Sequence, residues 1–223
     1  MNESARESLR SGVQLALAAL LATGLLAGTY ALTRERITEA EHRLQMDALA
    51  IVIPADRYDN DLVADAIQVD AGPWLGQPLA TVRRARLRGQ EAALVLDVVA
   101  PDGYAGAIGL LVAVDREGRV LGVRVTRHGE TPGLGDDIEA QRSDWITRFT
   151  GRALGDPEPS RWTVRKDGGD FDQFAGATVT PRAVVAAVKR CLELVARHGD
   201  ALYAAPAGAT LRIQSAPDDY RPQ

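Results

Sequence analysis

The feature of the sequence that most constrains this chain is an uncharged apolar run near the N-terminus. Ser11 to Thr33 reads SGVQLALAALLATGLLAGTYALT, 23 residues without Asp, Glu, Lys or Arg. As a helix rising about 1.5 Å per residue, the run would span about 35 Å, enough to cross a bilayer core of about 30 Å. Residues 11–33 are therefore predicted to form one transmembrane helix, with the lipid bilayer as a partner.

A cleaved signal peptide is the competing interpretation of this run. Arg6 and Arg10 precede it and small residues end it, as in secretory signals. The apolar core of a signal peptide is only about 7–15 residues long, so the length favours a retained anchor. Arg34 and Arg36 follow the run, so arginines lie on both sides and the positive-inside rule alone does not orient the helix.

The composition excludes some kinds of function. The 26 basic side chains are outnumbered by 30 acidic ones, a formal net charge of -4 that argues against a nucleic-acid partner. Cys191 is the single cysteine, so one chain cannot form a disulfide or hold an iron–sulfur cluster through thiolates. His42, His128 and His198 lack metal-ligand spacing, and no metal site is predicted.

Beyond the anchor, the sequence predicts a helical stalk over 34–54 and one α+β domain over 55–198. Runs with strand character, bounded by turn residues, cover 62–69, 79–87, 93–99, 107–114 and 120–126. Asp115 to Gly118 is a tight-turn sequence, so the last two strands are expected to form a hairpin. The expected fold is a mixed or antiparallel sheet with flanking helices.

The remaining elements are predicted from local signals. One strand carries four arginines and is expected to expose a solvated face: Arg83, Arg84, Arg86 and Arg88. A helix is expected from Asp136 to Phe149 and a short strand near Trp162 to Arg165. The last helix is expected to begin at Pro181 with Thr180 as its N-cap. Residues 199–223, rich in Ala, Pro and Asp, are predicted to be a loose tail.

One segment before the last helix has the chemistry of a phosphate site. Residues 172–181 read DQFAGATVTP. Gly176 lets the backbone bend, Ala177 keeps the surroundings small, and Thr178 presents a hydroxyl just before a helix N-terminus, where free amides and the helix dipole favour a phosphate. The alternative interpretation is that Gly-Ala-Thr only joins a strand to a capped helix.

This segment resembles the flavinylation motif, Asp-x-x-(Ser or Thr)-Gly-Ala-Thr, of FMN-binding domains in Rnf-type and Na⁺-translocating quinone reductase complexes. Asp172, Gly176, Ala177 and Thr178 match it, whereas Ala175 stands where the family has Ser or Thr. Residues 130–135 match the family's ETPGLG loop, and Gly103-Tyr104-Ala105-Gly106 fits the strands before it. The resemblance covers about residues 90–195, and the anchor lies where the FMN-carrying protein of the Rnf complexes has one.

The resemblance implies FMN held by a phosphoester to Thr178, installed by a flavin transferase that uses FAD and Mg²⁺. Asp172 would orient that transferase or its metal, or simply form a turn. The other implied flavin contacts lie on and beyond the ETPGLG loop: Leu134, Gly133 and Gly135 against the ring, Thr131 or Glu130 at its polar edge, Trp145 in stacking or in the core, and Lys166 at the phosphate.

The implied role is an electron carrier rather than an enzyme on its own. Its complex would couple electron transfer between NADH and ferredoxin to ion translocation, with other membrane and iron–sulfur subunits as partners. The protein would be a single-pass inner-membrane protein with residues 1–10 in the cytoplasm and the FMN domain on the periplasmic side. The alternatives are the FMN subunit of the Na⁺-translocating quinone reductase, an FMN-binding membrane sensor, and a flavin-free binding module.

Overall fold

The computed structural model of the protein describes residues 3–214, and the chain divides into two compact units at residue 45. The first helix, α1, runs from Glu3 to Ala50 and covers the predicted transmembrane segment and most of the predicted stalk. Within it, Gly12–Ala50 is long and apolar enough to cross a membrane, with a mean hydropathy of 1.9 over its most apolar window. Leu20 and Leu25 are 69% and 76% exposed, as expected of side chains that would face lipid.

The second unit is built on one six-stranded sheet, which confirms the predicted α+β class with a mixed sheet. The strands are β1 (Ala66–Asp70), β2 (Ala80–Leu87), β3 (Gln90–Ala100), β4 (Ile108–Asp115), β5 (Val120–Arg127) and β6 (Thr210–Arg212). Their order in the sheet is β5-β4-β3-β2-β1-β6. Neighbouring strands are antiparallel except β1 and β6, which pair in parallel. The predicted hairpin joins β4 to β5, and its turn closes with Gly118 N donating to Asp115 O at 3.1 Å.

The sheet is buried on both faces because successive residues of a strand point to opposite sides. On β3, Leu94 and Leu96 join the larger apolar cluster, and Ala93 and Val95 join a second one. The long helix α3 (Val179–Ala204) belongs to the larger cluster, and a four-residue helix α2 (Gly72–Leu75) adds to it. The second cluster is completed by apolar residues that precede the sheet in the chain: Leu49, Val52, Ile53 and Leu62.

The prediction of a continuous helix from Asp136 to Phe149 is wrong. The segment forms two short 3-10 turns, Asp136–Ile138 and Trp145–Phe149. Ser143 separates them, because its Oγ donates to Asp137 O at 2.8 Å and accepts from Trp145 N at 3.1 Å. Side-chain bonds of this kind offer the backbone an alternative to the helix.

The prediction of a strand near Trp162 to Arg165 is also wrong. The segment lies between two 3-10 turns, Pro159–Arg161 and Arg165–Asp167, and only an isolated bridge joins Val164 to Phe171. Apolar side chains are still used here, because Trp162, Val164 and Phe171 are buried. Burial, rather than strand pairing, explains the apolar pattern.

Residues 199–213 are ordered, contrary to the predicted loose tail. Helix α3 continues to Ala204, and β6 then pairs in parallel with β1. Leu202 and Tyr203 are buried, so the tertiary contact decides the structure of a segment whose composition is typical of a loop. Residues 215–223 of the predicted tail lie outside the described residues.

The arginine-rich strand is only partly a solvated face. Arg84 is buried at 2% exposure, forms an ion pair with Asp65, and donates to the carbonyls of Tyr203 and Ala205. Arg86 also pairs with Asp65, Nε to Oδ2 at 2.8 Å. The arginines of β2 therefore tie the sheet to the C-terminal end of α3.

Candidate functional site

The structure brings the two sequence motifs together. A Cβ added at Gly176 would lie 3.6 Å from Leu134 Cδ2, so the Gly-Ala-Thr segment and the ETPGLG loop are in contact. Gly176 adopts a φ of +80°, which favours glycine. Leu134 is 46% exposed although it is a leucine, so an apolar side chain stands at the surface beside the motif.

The ETPGLG loop is a closed turn that presents its middle residues outward. Leu134 N and Gly135 N both donate to Thr131 O at 3.1 Å. Gly133 has a φ of +77°, and its N donates to the buried Asp136 carboxylate at 2.7 Å. Thr131, Gly133 and Leu134 are exposed, so they are available to a ligand.

Glu130 is turned inward rather than towards the surface. It is 5% exposed, and its carboxylate accepts hydrogen bonds from the Thr180 hydroxyl and from Ala105 N, the latter at 3.1 Å. Gly135 makes room for this contact, since a Cβ there would lie 2.7 Å from Glu130 Oε2. Glu130 therefore fastens the ETPGLG loop to the start of α3, and its placement favours this role over a contact with the polar edge of a flavin.

Thr178 lies immediately before α3, which begins at Val179, two residues earlier than predicted. Thr180 is not the N-cap: it is fully buried and bonded to Glu130. Thr178 is partly exposed, and within residues 3–214 its hydroxyl makes no capping bond to the helix. A hydroxyl at the positive end of a 26-residue helix is thus presented at the surface.

Asp172 is held by three groups. Trp145 Nε1 donates to its carbonyl oxygen at 2.8 Å. Its carboxylate pairs with Arg148 and with Arg165, whose Nη1 lies 3.0 Å from Oδ1. Neither Arg148 nor Arg165 could be singled out from the sequence, since they are two of many arginines without distinctive spacing.

Trp145 serves the core more than the surface. Its ring is 5% exposed and packs edge-on against Phe149 and Phe174, with centroids 5.4 and 5.2 Å away. Of the two roles expected for Trp145, this placement favours the core. Its link to the motif is the bond to Asp172.

Lys166 belongs to a charged group near the start of α3. Its side chain is exposed, and its backbone N donates to Gln173 Oε1 at 3.3 Å. The next residue, Asp167, pairs with Arg182 Nε at 2.7 Å. The hydrogen bond from Arg182, together with the charges of Arg182 and Lys166, holds the pKa of Asp167 below its usual value. Arg182 is a cation in the first turn of α3 that no sequence motif had indicated.

Other kinds of reactive group are not assembled here. Cys191 is fully buried, and burial raises the pKa of its thiol, so the reactive thiolate is disfavoured. Among residues 3–214, no cluster of three or more His, Cys, Asp or Glu could hold a metal ion. The chain's own side chains thus provide no redox centre in the described part.

The residues present fit an FMN group. Leu134 and Val179, 46% and 41% exposed, offer apolar surface on either side of the Thr178 segment. An added Cβ at Gly133 would have nothing within 4 Å, so the backbone there is open to a flat ring. Thr178 supplies a hydroxyl for the phosphate, and Arg182 and Lys166 supply positive charge nearby.

Comparison with known proteins gives a consistent assignment. The FMN-binding domain model matches residues 103–193, and the RnfG N-terminal region model matches residues 1–52. The chain is also similar to bacterial proteins that are named as one of the subunits of the ion-translocating oxidoreductase complex.

Three of these relatives show how far the similarity extends. The chain is 50% identical over 181 residues to the protein of Escherichia coli, covering 81% of this chain and 87% of the relative. It is 49% identical over 188 residues to that of Pseudomonas aeruginosa (84% and 88%), and 43% identical over 197 residues to that of Vibrio atlanticus (88% and 94%). The chain therefore belongs to the RnfG family of ion-translocating oxidoreductase complex subunits and contains that family's FMN-binding domain.

Proposed function

We propose that the protein carries FMN as a phosphoester on Thr178 and relays electrons within an ion-translocating membrane complex. The observation that carries this proposal is the position of Thr178. Its hydroxyl lies at the N-terminus of α3, uses no capping bond among the described residues, and stands beside the exposed Leu134 of the second motif.

Attachment would be a phosphoryl transfer made by a separate transferase with FAD and Mg²⁺. The Thr178 oxygen attacks the phosphorus on the FMN side of the FAD pyrophosphate. A new P–O bond forms, the P–O bond to the AMP half breaks, and AMP leaves. The hydroxyl proton passes to a base of the transferase, which must activate the oxygen because threonine is a weak nucleophile at its ordinary pKa.

The protein would then orient the group and set its electrostatic surroundings. Arg182 and Lys166 add positive charge near the phosphate, and the α3 dipole acts in the same sense. Leu134, Val179 and the bare backbone of Gly133 provide apolar contact for the ring, and Thr131 provides a polar one. When bound, the flavin supplies one- and two-electron redox chemistry that the described side chains lack.

The setting would be an Rnf-type complex that couples electron transfer between NADH and ferredoxin to ion movement. Membrane and iron–sulfur subunits would be the electron-transfer partners of this chain. The match to the RnfG N-terminal region favours this complex over the Na⁺-translocating quinone reductase. With α1 in the inner membrane, the FMN-binding domain would lie on the periplasmic side.

Mass spectrometry of the intact protein tests the covalent link. The full chain is co-expressed with its flavin transferase, beside Thr178→Ala, Thr178→Ser and the exposed control Thr150→Ala. We expect a mass gain of one FMN less one water, and ultraviolet fluorescence of the denatured gel band, in the wild type, Thr178→Ser and Thr150→Ala. Thr178→Ala should show neither. Absence of the gain from the wild type, with a transferase that modifies a control acceptor, would contradict the proposal.

A further inference from the structure

We infer that Arg148 and Arg165 are positioning residues for flavin attachment, which they hold in register through Asp172. This inference rests on the proposed attachment at Thr178. It assigns Asp172 a partner within its own chain, in place of a direct contact with the metal of the transferase.

The two arginines reach Asp172 from different parts of the chain. Arg148 lies in the 3-10 turn Trp145–Phe149, and Arg165 begins the turn Arg165–Asp167. Arg148 Nη1 bonds to Asp172 Oδ2, and Arg165 Nη1 lies 3.0 Å from Oδ1, so each carboxylate oxygen has its own guanidinium. Trp145 Nε1 fixes the main chain of the same residue at 2.8 Å.

Fixing Asp172 restricts the whole acceptor segment, residues 172–178. Phe174 packs on Trp145 at 5.2 Å, and Ala177 N donates to Phe174 O at 3.2 Å across the turn at Gly176. The far end is held by the first turn of α3, where Thr180 bonds to Glu130. The segment that carries Thr178 is therefore short and fastened at both ends.

The alternative role for Asp172 predicts the opposite effect of removing the arginines. If the carboxylate were a ligand of the transferase's Mg²⁺, Arg148 and Arg165 would compete with the metal for its oxygens. Removing them would then leave flavin transfer unchanged or make it faster. If the arginines position the segment, removing them makes transfer slower.

The chain offers a matched control at Arg161. This arginine also forms an ion pair with a neighbouring aspartate, but its partner is Asp170, outside the acceptor segment. The side chains of Arg148, Arg165 and Arg161 are 58%, 62% and 54% exposed. Exposed ion pairs contribute little to global stability, so none of the three substitutions should unfold the domain.

Hydrogen exchange measures the positioning without flavin or transferase. In the full chain in detergent, Arg148→Gln combined with Arg165→Gln should speed amide exchange several-fold in residues 173–178 and leave the strands of the sheet protected. Arg161→Gln should leave residues 173–178 as in the wild type. Unchanged exchange in the double variant would overturn the inference.

Flavin transfer to the same proteins gives the second readout. With transferase and FAD, the double variant should show about a tenfold lower kcat/KM, an upper value for two exposed pairs that share one carboxylate. Arg148→Lys combined with Arg165→Lys should recover part of the loss. Asp172→Asn should lower transfer similarly and add nothing when combined with the double variant.

The outcomes separate this inference from the proposed function. If the wild type takes up FMN at Thr178 but the double variant transfers as fast or faster, the positioning role is wrong and attachment stands. Additive losses from Asp172→Asn and the arginine substitutions would also contradict it. If the wild type takes up no FMN while exchange behaves as expected, attachment fails and the structural role of the arginines stands.

Discussion

Thr178 and Thr180 show how two like residues, two positions apart, receive different roles from the start of one helix. Thr178 is partly exposed and precedes the first turn, so its hydroxyl is accessible. Thr180 is in the first turn, fully buried, and donates to Glu130. Because residues in one helical turn point in different directions, only one of the two can serve as an acceptor for a transferase.

Replacing Thr180 tests the buried contact at this scale. Thr180→Val keeps the β-branched shape but removes the donor to the Glu130 carboxylate, which retains Ala105 N. We expect a loss of about 1–3 kcal/mol in the free energy of unfolding, the cost of an unsatisfied buried polar group. Urea unfolding of the full chain in detergent measures it.

The matched control is Thr147→Val, because the Thr147 hydroxyl bonds to Asp144 O on an exposed turn. It should change the free energy of unfolding by less than about 0.5 kcal/mol. Equal effects of the two substitutions would show that the bond between Thr180 and Glu130 contributes nothing special.

At the scale of elements, β2 and the end of α3 are joined by a buried arginine. Arg84 pairs with Asp65 and donates to the carbonyls of Tyr203 and Ala205, which lie where α3 ends. The last carbonyls of a helix lack partners within the helix, so Arg84 satisfies two groups of this kind. β6 follows this point and pairs with β1.

Arg84→Ala is expected to lower the free energy of unfolding by about 3 kcal/mol. It removes one partner of a buried ion pair and leaves Asp65 with Arg86 alone. Thermal unfolding should shift by roughly 6–12 °C for a domain of this size. Arg88→Ala, on an exposed residue of the same chain segment, should shift it by less than about 2 °C. A small effect at Arg84 would mean that other contacts hold the end of α3.

At the scale of the whole molecule, the chain combines a membrane-anchor helix with a domain that has its own core. The leucines of the first unit are exposed, whereas the apolar side chains of the sheet are buried on both faces. Exposed apolar surface of this extent is stable only against lipid or another apolar partner. We therefore expect the full chain to stay with membranes after carbonate extraction.

Cysteine labelling tests the proposed orientation. Glu117 lies in the exposed hairpin turn of the FMN-binding domain, and the native Cys191 is buried, which keeps background labelling low. A membrane-impermeant maleimide should label Glu117→Cys in intact spheroplasts, and should label Ser4→Cys only after lysis. The reverse pattern would place the domain in the cytoplasm and contradict the proposed localisation.

The sequence by itself determined the elements whose signals are local. The strands and the hairpin could be predicted because alternating apolar residues and the turn at Asp115 to Gly118 specify them within a few residues. The apolar run specified the α1 segment, because its composition suits one solvent. Two short motifs were sufficient to predict the FMN family and to mark Thr178.

Only the tertiary structure decided which polar groups lie inside and which distant groups meet. Asp172 is fixed by Arg148 and Arg165, and Glu130 faces inward to Thr180, because chain segments far apart in sequence pack side by side. The helix predicted over 136–149 was replaced by turns held by side-chain bonds, and the predicted tail was ordered by pairing with β1. Such contacts depend on which segments are neighbours in space, and no local pattern of residues encodes them.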